Sequence, residues 1–271
     1  METSYFLYPS QELSAYIKYY WILKTDAEDG LSIQTIPSGC MHLVFHRGGD
    51  LYLSQQKKQP KNFIRGQFLT PGHLTSTGGI DMIAVVFHPL GMNPFFSYPM
   101  DEISNCYVDI KDQEDKELSR LGDFIAGEEG ISECIHQIEL FLLKRYQANE
   151  YNYERVARSI QLIMTDPYIN VLSLAQETCL GYRHFKRLFT KYTGINPKEY
   201  MRIVRFQRAL HELQYDNAME ITRLAYLSGY YDHSHLIKDF RALSGYSPTE
   251  YLSHRRPYST LFSNDCRLNR I

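Results

Sequence analysis

Two stretches of this chain repeat one another at a fixed spacing, and that repeat limits the fold more than any other feature. Phe189, Gly194, Pro197 and Tyr200 recur as Phe240, Gly245, Pro248 and Tyr251, each 51 positions later, with Glu199 returning as Glu250 and Phe185 as Leu236. Upstream, Val171, Leu174 and Ala175 correspond to Ile221, Leu224 and Ala225 at an offset of 50. The one-residue difference falls in the turn between two helices, where an insertion costs least.

Each copy reads as a short helix, a turn and a longer helix. In the first, Leu172, Leu174 and Ala175 precede the breaker-like run Thr178-Cys179-Leu180-Gly181. Phe185, Leu188, Phe189 and Tyr192 then fall at i, i+3, i+4 and i+7 and form one apolar face, while Arg183, Lys186, Arg187 and Lys191 take the opposite side. The second copy turns Leu236, Phe240 and Leu243 inward and His233, Ser234, Ile237 and Lys238 outward.

Local chemistry agrees with the apolar period. Asp232 stands where an N-cap carboxylate can satisfy free amides of the first turn, whereas Gly181 holds that place in the first copy without a side-chain acceptor. Both longer helices stop at a glycine, Gly194 or Gly245, suited to a left-handed residue. The next helices open with Asn196-Pro197-Lys198-Glu199 and Ser247-Pro248-Thr249-Glu250, each with the pattern of a capping box and a proline in the first turn.

These residues resemble the DNA-binding domain of the AraC/XylS family of bacterial transcription regulators, two helix-turn-helix units joined by a long helix. The matching pieces are Leu174-Ala175, His184 to Phe189, Gly194 to Tyr200, Arg205-Phe206 and Ala209, then Ile221, Leu224-Ala225, Gly229-Tyr230, Leu236, Phe240 and Gly245 to Tyr251. Gly181 replaces the serine usual at the first recognition-helix cap, and Tyr230 the commoner phenylalanine. The resemblance implies base-contacting roles for Arg183, Lys186 and Arg187 in the first unit and for His233, Ser234, Ile237 and Lys238 in the second. Arginine can donate two hydrogen bonds to guanine, lysine can reach guanine or phosphate, and isoleucine can pack on a thymine methyl. A charged face on an isolated helix is more often merely solvated; here the repeat and the matched caps favour base reading.

Charge is distributed accordingly. Residues 151–271 hold 17 Lys and Arg against 11 Asp and Glu, whereas residues 1–150 hold 12 against 20, so the net −2 conceals a basic half. An excess of this size cannot hold DNA unaided at high salt, so affinity should fall steeply as salt rises. The helix from about Pro197 to Gln214 fixes the separation of the two units. Related proteins place their recognition helices in successive major grooves, which allows one chain to read a non-palindromic site.

The N-terminal half has a different texture. Runs at Tyr16–Leu23, Leu31–Ile36, Met41–Arg47, Leu51–Ser54, Phe63–Phe68 and Met82–His88 alternate with turn signals such as Gly48-Gly49-Asp50 and Thr77-Gly78-Gly79. Short strands with glycine turns indicate a small β-sandwich or barrel. Tyr19-Tyr20-Trp21, Ile36 to Phe45, Phe87 to Gly91 and a polar segment near Asp109 resemble the uncharacterised N-terminal domains of some AraC-like regulators, which implies a cupin-like effector domain. The expected fold is therefore an α+β two-domain chain: a β-sandwich or cupin-like barrel with helices, then an all-α domain.

The case for an enzyme in this half turns on its histidines. His42 and His46 share one face of a strand, and His73 and His88 could join them as metal ligands, but the close His-x-His with a following glutamate is absent. No serine elbow, phosphate loop or paired carboxylate motif occurs. His233 and His235 diverge by about 200° on a helix and suit a metal poorly. We expect no catalytic residue, no metal and no cofactor; the alternatives are a metal-dependent cupin-like enzyme or a pure dimerisation module fused to the DNA-binding domain.

Gln113 to Tyr146 is helical in pattern, split by Gly127-Glu128-Glu129-Gly130, and its apolar stripes serve either to cover the host domain or to form a dimer face. The boundary is placed near 150, giving an effector-binding or dimerisation domain at 1–150, a DNA-binding domain at 151–252 and an unassigned tail at 253–271. Five cysteines without close pairing argue against a disulfide framework. The start lacks a secretory signal, and no stretch approaches the length of about 20 apolar residues that spans a membrane. The expected setting is cytoplasmic, with double-stranded promoter DNA, RNA polymerase, a small-molecule effector and a second copy of the chain as partners.

Overall fold

The computed structural model describes residues 2–26, 32–53, 57–148 and 151–253, so the tail beyond Ser253 and part of the junction near 150 lie outside the described residues. The chain forms two compact units, one of residues 1–32, 40–66 and 73–149, the other of residues 33–39, 67–72 and 150–271. The N-terminal half is β-rich and the C-terminal half helical, which is the fold class expected.

The described residues of the N-terminal half contain ten strands: β1 (Glu2–Leu7), β2 (Ile17–Thr25), β3 (Ser32–Thr35), β4 (His42–His46), β5 (Leu51–Leu53), β6 (Lys57–Lys58), β7 (Asn62–Arg65), β8 (Gly72–Ser76), β9 (Ile80–Phe87) and β10 (Tyr107–Asp109). Six of them form an antiparallel sheet in the order β1-β2-β9-β4-β7-β10, and a second sheet carries β8, β5 and β6 side by side. Two helices follow, α1 (Lys116–Gly127) and α2 (Ile131–Arg145), separated where the glycine pair predicts.

The alternation of a strand divides the large sheet into two faces. Tyr20, Ile22, Leu43, Phe45, Ile64, Ile83, Val85 and Phe87 share one core with Leu118, Leu121 and Ile125 of α1 and Ile138, Phe141 and Leu142 of α2. The apolar stripes of both helices thus cover their own sheet, while Phe124, Leu140 and Leu143 stay exposed. The register sets Tyr19, Val86, His42, Arg65 and Tyr107 in one row across the other face. The two glycine turns meet: a Cβ on Gly48 would lie 2.3 Å from the Gly79 carbonyl oxygen, and one on Gly49 2.9 Å from the Gly78 nitrogen. Only residues without side chains permit that approach.

The second unit contains α3 (Tyr151–Thr165), α4 (Val171–Glu177), α5 (Tyr182–Thr193), α6 (Pro197–Tyr215), α7 (Ile221–Leu227), α8 (His233–Ser244) and α9 (Pro248–Ser253). The sequence repeat is visible in its core as two aromatic pairs of nearly the same geometry. Phe189 meets Tyr200 edge-on with centroids 5.6 Å apart, and Phe240 meets Tyr251 likewise at 5.6 Å. Buried aromatic pairs of this kind add directional preference to area burial. They fix the rotation of α5 and α8 against the helices that follow them.

Candidate nucleic-acid interface

The frame of each longer helix is set at its first residue. Gly181 caps α5 with extended backbone and no side-chain hydrogen bond, whereas the Asp232 carboxylate caps α8 by accepting from the His235 amide at 2.7 Å. Counting from those caps, Arg183 matches Ser234, Lys186 matches Ile237 and Arg187 matches Lys238, with Tyr182 and His233 both at the first helical position. Arg183, Arg187, His233, Ser234 and Lys238 are exposed, and Lys186 and Ile237 are half-buried. The buried backs are Phe185, Leu188 and Phe189 in α5 and Leu236, Phe240 and Leu243 in α8. Every residue named from the sequence therefore lies on the open side of its own helix. Tyr182 was not among them, although the 51-residue offset aligns it with His233.

Both helices end as the glycines predict. Gly194 has φ 84° and Gly245 φ 83°, and their amides bond back to Thr190 and Arg241. The capping boxes differ in completeness. Ser247 and Glu250 satisfy each other's amides reciprocally, at 2.7 and 3.3 Å. Asn196 accepts from the Lys198 and Glu199 amides, but the Glu199 carboxylate turns instead to Arg202 at 3.5 Å.

Side-chain pairing shapes the exposed faces. The Lys186 ammonium lies 5.7 Å from the Tyr182 ring centroid, and Arg187 approaches His184 Nδ1 at 3.2 Å. On the second helix, the buried Asp239 carboxylate accepts from Arg202 Nε of α6 at 2.7 Å and stands 3.5 Å from His235 Nε2. That acid is neutralised beneath the surface, so it does not oppose a polyanion in front of α8. Nothing in the periodicity of α8 announces it, because its partner is 37 residues away.

Two of the four candidate metal-ligating histidines of the N-terminal half, His42 and His46, have other partners. His42 is buried beside Arg65, 3.4 Å from the guanidinium, and burial together with the Arg65 and Lys18 charges holds its imidazole well below the usual histidine range. A second cation there would be repelled. His46 places its two ring nitrogens 3.1 and 2.7 Å from the Asp81 and Gly49 carbonyl oxygens, leaving neither for a metal. Among the described residues no group of three His, Cys, Asp or Glu could hold an ion, and no helix is long and apolar enough to cross a membrane.

Two short-helix, turn, long-helix motifs joined by α6 define the class of this half, a tandem helix-turn-helix domain. Residues 174–254 match the family model described as a helix-turn-helix domain, and residues 5–109 match a domain of unknown function (DUF6597). Residues 174–254 thus carry the AraC-type helix-turn-helix pattern read from the sequence. The chain is 28% identical over 119 residues to the HTH-type transcriptional activator RhaS of Escherichia coli O139:H28 (strain E24377A / ETEC), a match covering 42% of this chain and 42% of the relative. It thus spans less than half the length of the curated relatives it matches. Among solved structures it is similar to ToxT from Vibrio cholerae, with TM-score 0.47 and 13% identity over 86% of this chain and 97% of that one. The DNA-binding domain of AdpA, solved in complex with a target DNA, aligns at TM-score 0.34 and 25% identity over 40% of this chain and 98% of that one.

Proposed function

We propose that this chain is a sequence-specific, DNA-binding transcription regulator. The observation that carries the reading is the matched pair of recognition helices: α5 and α8 are framed by their caps and terminal glycines so that corresponding residues face outward. Arg183, Lys186 and Arg187 would read one major-groove segment and His233, Ser234, Ile237 and Lys238 the next, with α6 setting the interval. RhaS is a transcriptional activator and the AdpA domain was solved on target DNA, which agrees with this role.

The same reading assigns residues 1–150 to sensing or dimerisation, 151–252 to DNA and leaves 253–271 without a role. A ToxT structure holds (E)-4-(8-methylnaphthalen-1-yl)but-3-enoic acid, which supports a small-molecule effector for the N-terminal domain. A cavity of about 440 Å³ beside Tyr98, Asp115 and Arg145 is in the size range of small-ligand sites. Exposed Phe124, Leu140 and Leu143 support a homodimer contact. RNA polymerase is the remaining partner. The chain acts in the cytoplasm without catalysis, metal or cofactor.

Selection of bound duplexes from a random DNA pool with the full-length chain tests the reading. Two enriched blocks about one helical turn apart, 10–10.5 base pairs, are expected. No enrichment at low salt, where electrostatic binding is strongest, would overturn it.

A further inference from the structure

We infer that Tyr182 is a base-reading residue of the first unit, its ring packing on a thymine methyl and directing the Lys186 ammonium to the adjoining base. The inference rests on the DNA-binding reading above and adds to it a residue and the chemistry that the residue recognises.

The case begins with position. Tyr182 is the first residue of α5, as His233 is of α8, and the N-terminal residues of a recognition helix are the ones that meet base edges. It is 40% exposed, large and apolar over most of its surface. The helix does not need it for packing, since Phe185, Leu188, Phe189 and Tyr192 supply the buried face. Nor does helix formation favour an aromatic residue there, because proline and acidic residues suit a first turn better.

Its ring also pairs with a cation. The Lys186 ammonium, one helical turn on, lies 5.7 Å from the Tyr182 ring centroid. A cation held over a ring face is restricted to a narrow arc, which lowers the entropy lost when lysine commits to one acceptor. The second unit has His233 and Ile237 at the corresponding positions, a pair without a cation over a ring. The two helices therefore present different chemistry at equivalent places, and the first is built to recognise a methyl group beside an acceptor. In the major groove that combination is a thymine next to an acceptor-bearing base, best met by guanine with its N7 and O6.

The test begins with the operator selected by the full-length wild type. Each thymine in the block read by the first unit is then replaced singly by uracil, which deletes only the methyl group. At one position wild type should lose about fivefold to tenfold in affinity. Tyr182→Ala should be insensitive to that same replacement, and Tyr182→Phe should behave as wild type because the ring is retained. Melting temperatures of both variants should stay close to the parent's, since Phe185, Leu188, Phe189 and Tyr192 supply the buried face of α5. Equal sensitivity of wild type and Tyr182→Ala to every uracil replacement would overturn the inference while leaving the regulator reading intact. A uniform loss of affinity by Tyr182→Ala on all sequences would also overturn it, as the mark of a phosphate contact. Failure of the wild type to enrich any motif would remove this inference together with the parent reading.

Discussion

The two helix-turn-helix units reach the same backbone frame by different chemistry. Between α4 and α5 the left-handed residue is Cys179, at φ 51°, and at the corresponding place between α7 and α8 it is Gly229, at φ 83°. A cysteine in that region bears a strain of about 1 kcal/mol that glycine does not. The first turn is held by Arg155 of α3, which donates to the Thr178 carbonyl at 2.8 Å and also to that of Cys179. Its counterpart one repeat later, Arg205, sits over the Tyr230 ring instead, 5.6 Å from the centroid. The same division runs through the packing: Leu188 is apolar beneath α5, while Asp239 beneath α8 is tied to Arg202. Duplicated folds conserve geometry, and the means of holding it can diverge between copies.

Substitution at the two turns should separate the units most sharply. A Cβ on Gly229 would lie 2.5 Å from Pro167 Cβ and 2.8 Å from its carbonyl oxygen, on backbone already left-handed. Gly229→Ala should therefore cost about 2–4 kcal/mol in urea unfolding. Cys179→Gly should have the opposite sign, a gain of about 0.5–1 kcal/mol from relieved strain. If both variants destabilise alike, the turns are not held by the different means described.

Next in size is the buried acid. Removing the charge of Asp239 with asparagine leaves Arg202 facing a weaker acceptor and should cost about 1–3 kcal/mol. Leu188→Asn, at the corresponding place in the first unit, should cost about 2–4 kcal/mol because a buried amide gains no partner there. Circular dichroism melts of the two variants decide the matter. Unchanged stability of Asp239→Asn would mean that the ion pair contributes nothing to the position of α8.

Acid separates the β-rich half from the helical half. His42, His46 and His88 are all lowered, chiefly by burial. Above their unfolded value near 6.5 both states are neutral and these groups contribute no slope. As pH falls below it, the unfolded chain binds protons that the folded chain refuses, and stability drops by up to about 1.4 kcal/mol per pH unit for each histidine. Trp21, the single tryptophan, is buried in the large sheet and reports this transition by fluorescence. His42→Gln should flatten the pH dependence between 6.5 and 5, and an unchanged slope would show that His42 is not responsible.

Much of the helical half was legible because its determinants are local. Gly194, Gly245, Asn196, Asp232 and the Ser247 to Glu250 box act within a few residues of themselves, so their spacing alone predicts the ends of α5 and α8 and the starts of α6, α8 and α9. The exposed faces followed from the 3.6-residue period. What stayed hidden depends on distant partners. Arg155 meets Thr178 across 23 residues and Arg202 meets Asp239 across 37, and neither pair leaves a periodic trace. Residues 33–39 and 67–72 group with the helical unit although their sequence reads as strand and loop. The correspondence of Tyr182 with His233 is itself legible, as a 51-residue offset counted from Gly181 and Asp232.

The smallest contrast is at the caps themselves. Asp232→Ala removes the acceptor for the His235 amide and should cost about 1 kcal/mol. Gly181 offers no acceptor, its φ of −65° and ψ of 142° suit any residue, and an added Cβ would meet no atom within 4 Å. Gly181→Ser should thus gain a few tenths of a kcal/mol, since glycine is itself a tolerated cap. The pair predicts opposite signs from one position in two copies of one motif. Amide hydrogen exchange in the first turns of α5 and α8 resolves effects this small: protection should rise at His184 in the first variant helix and fall at His235 in the second. A fall at His184 would show that the absence of a side-chain cap in the first unit is compensated by contacts that serine disturbs.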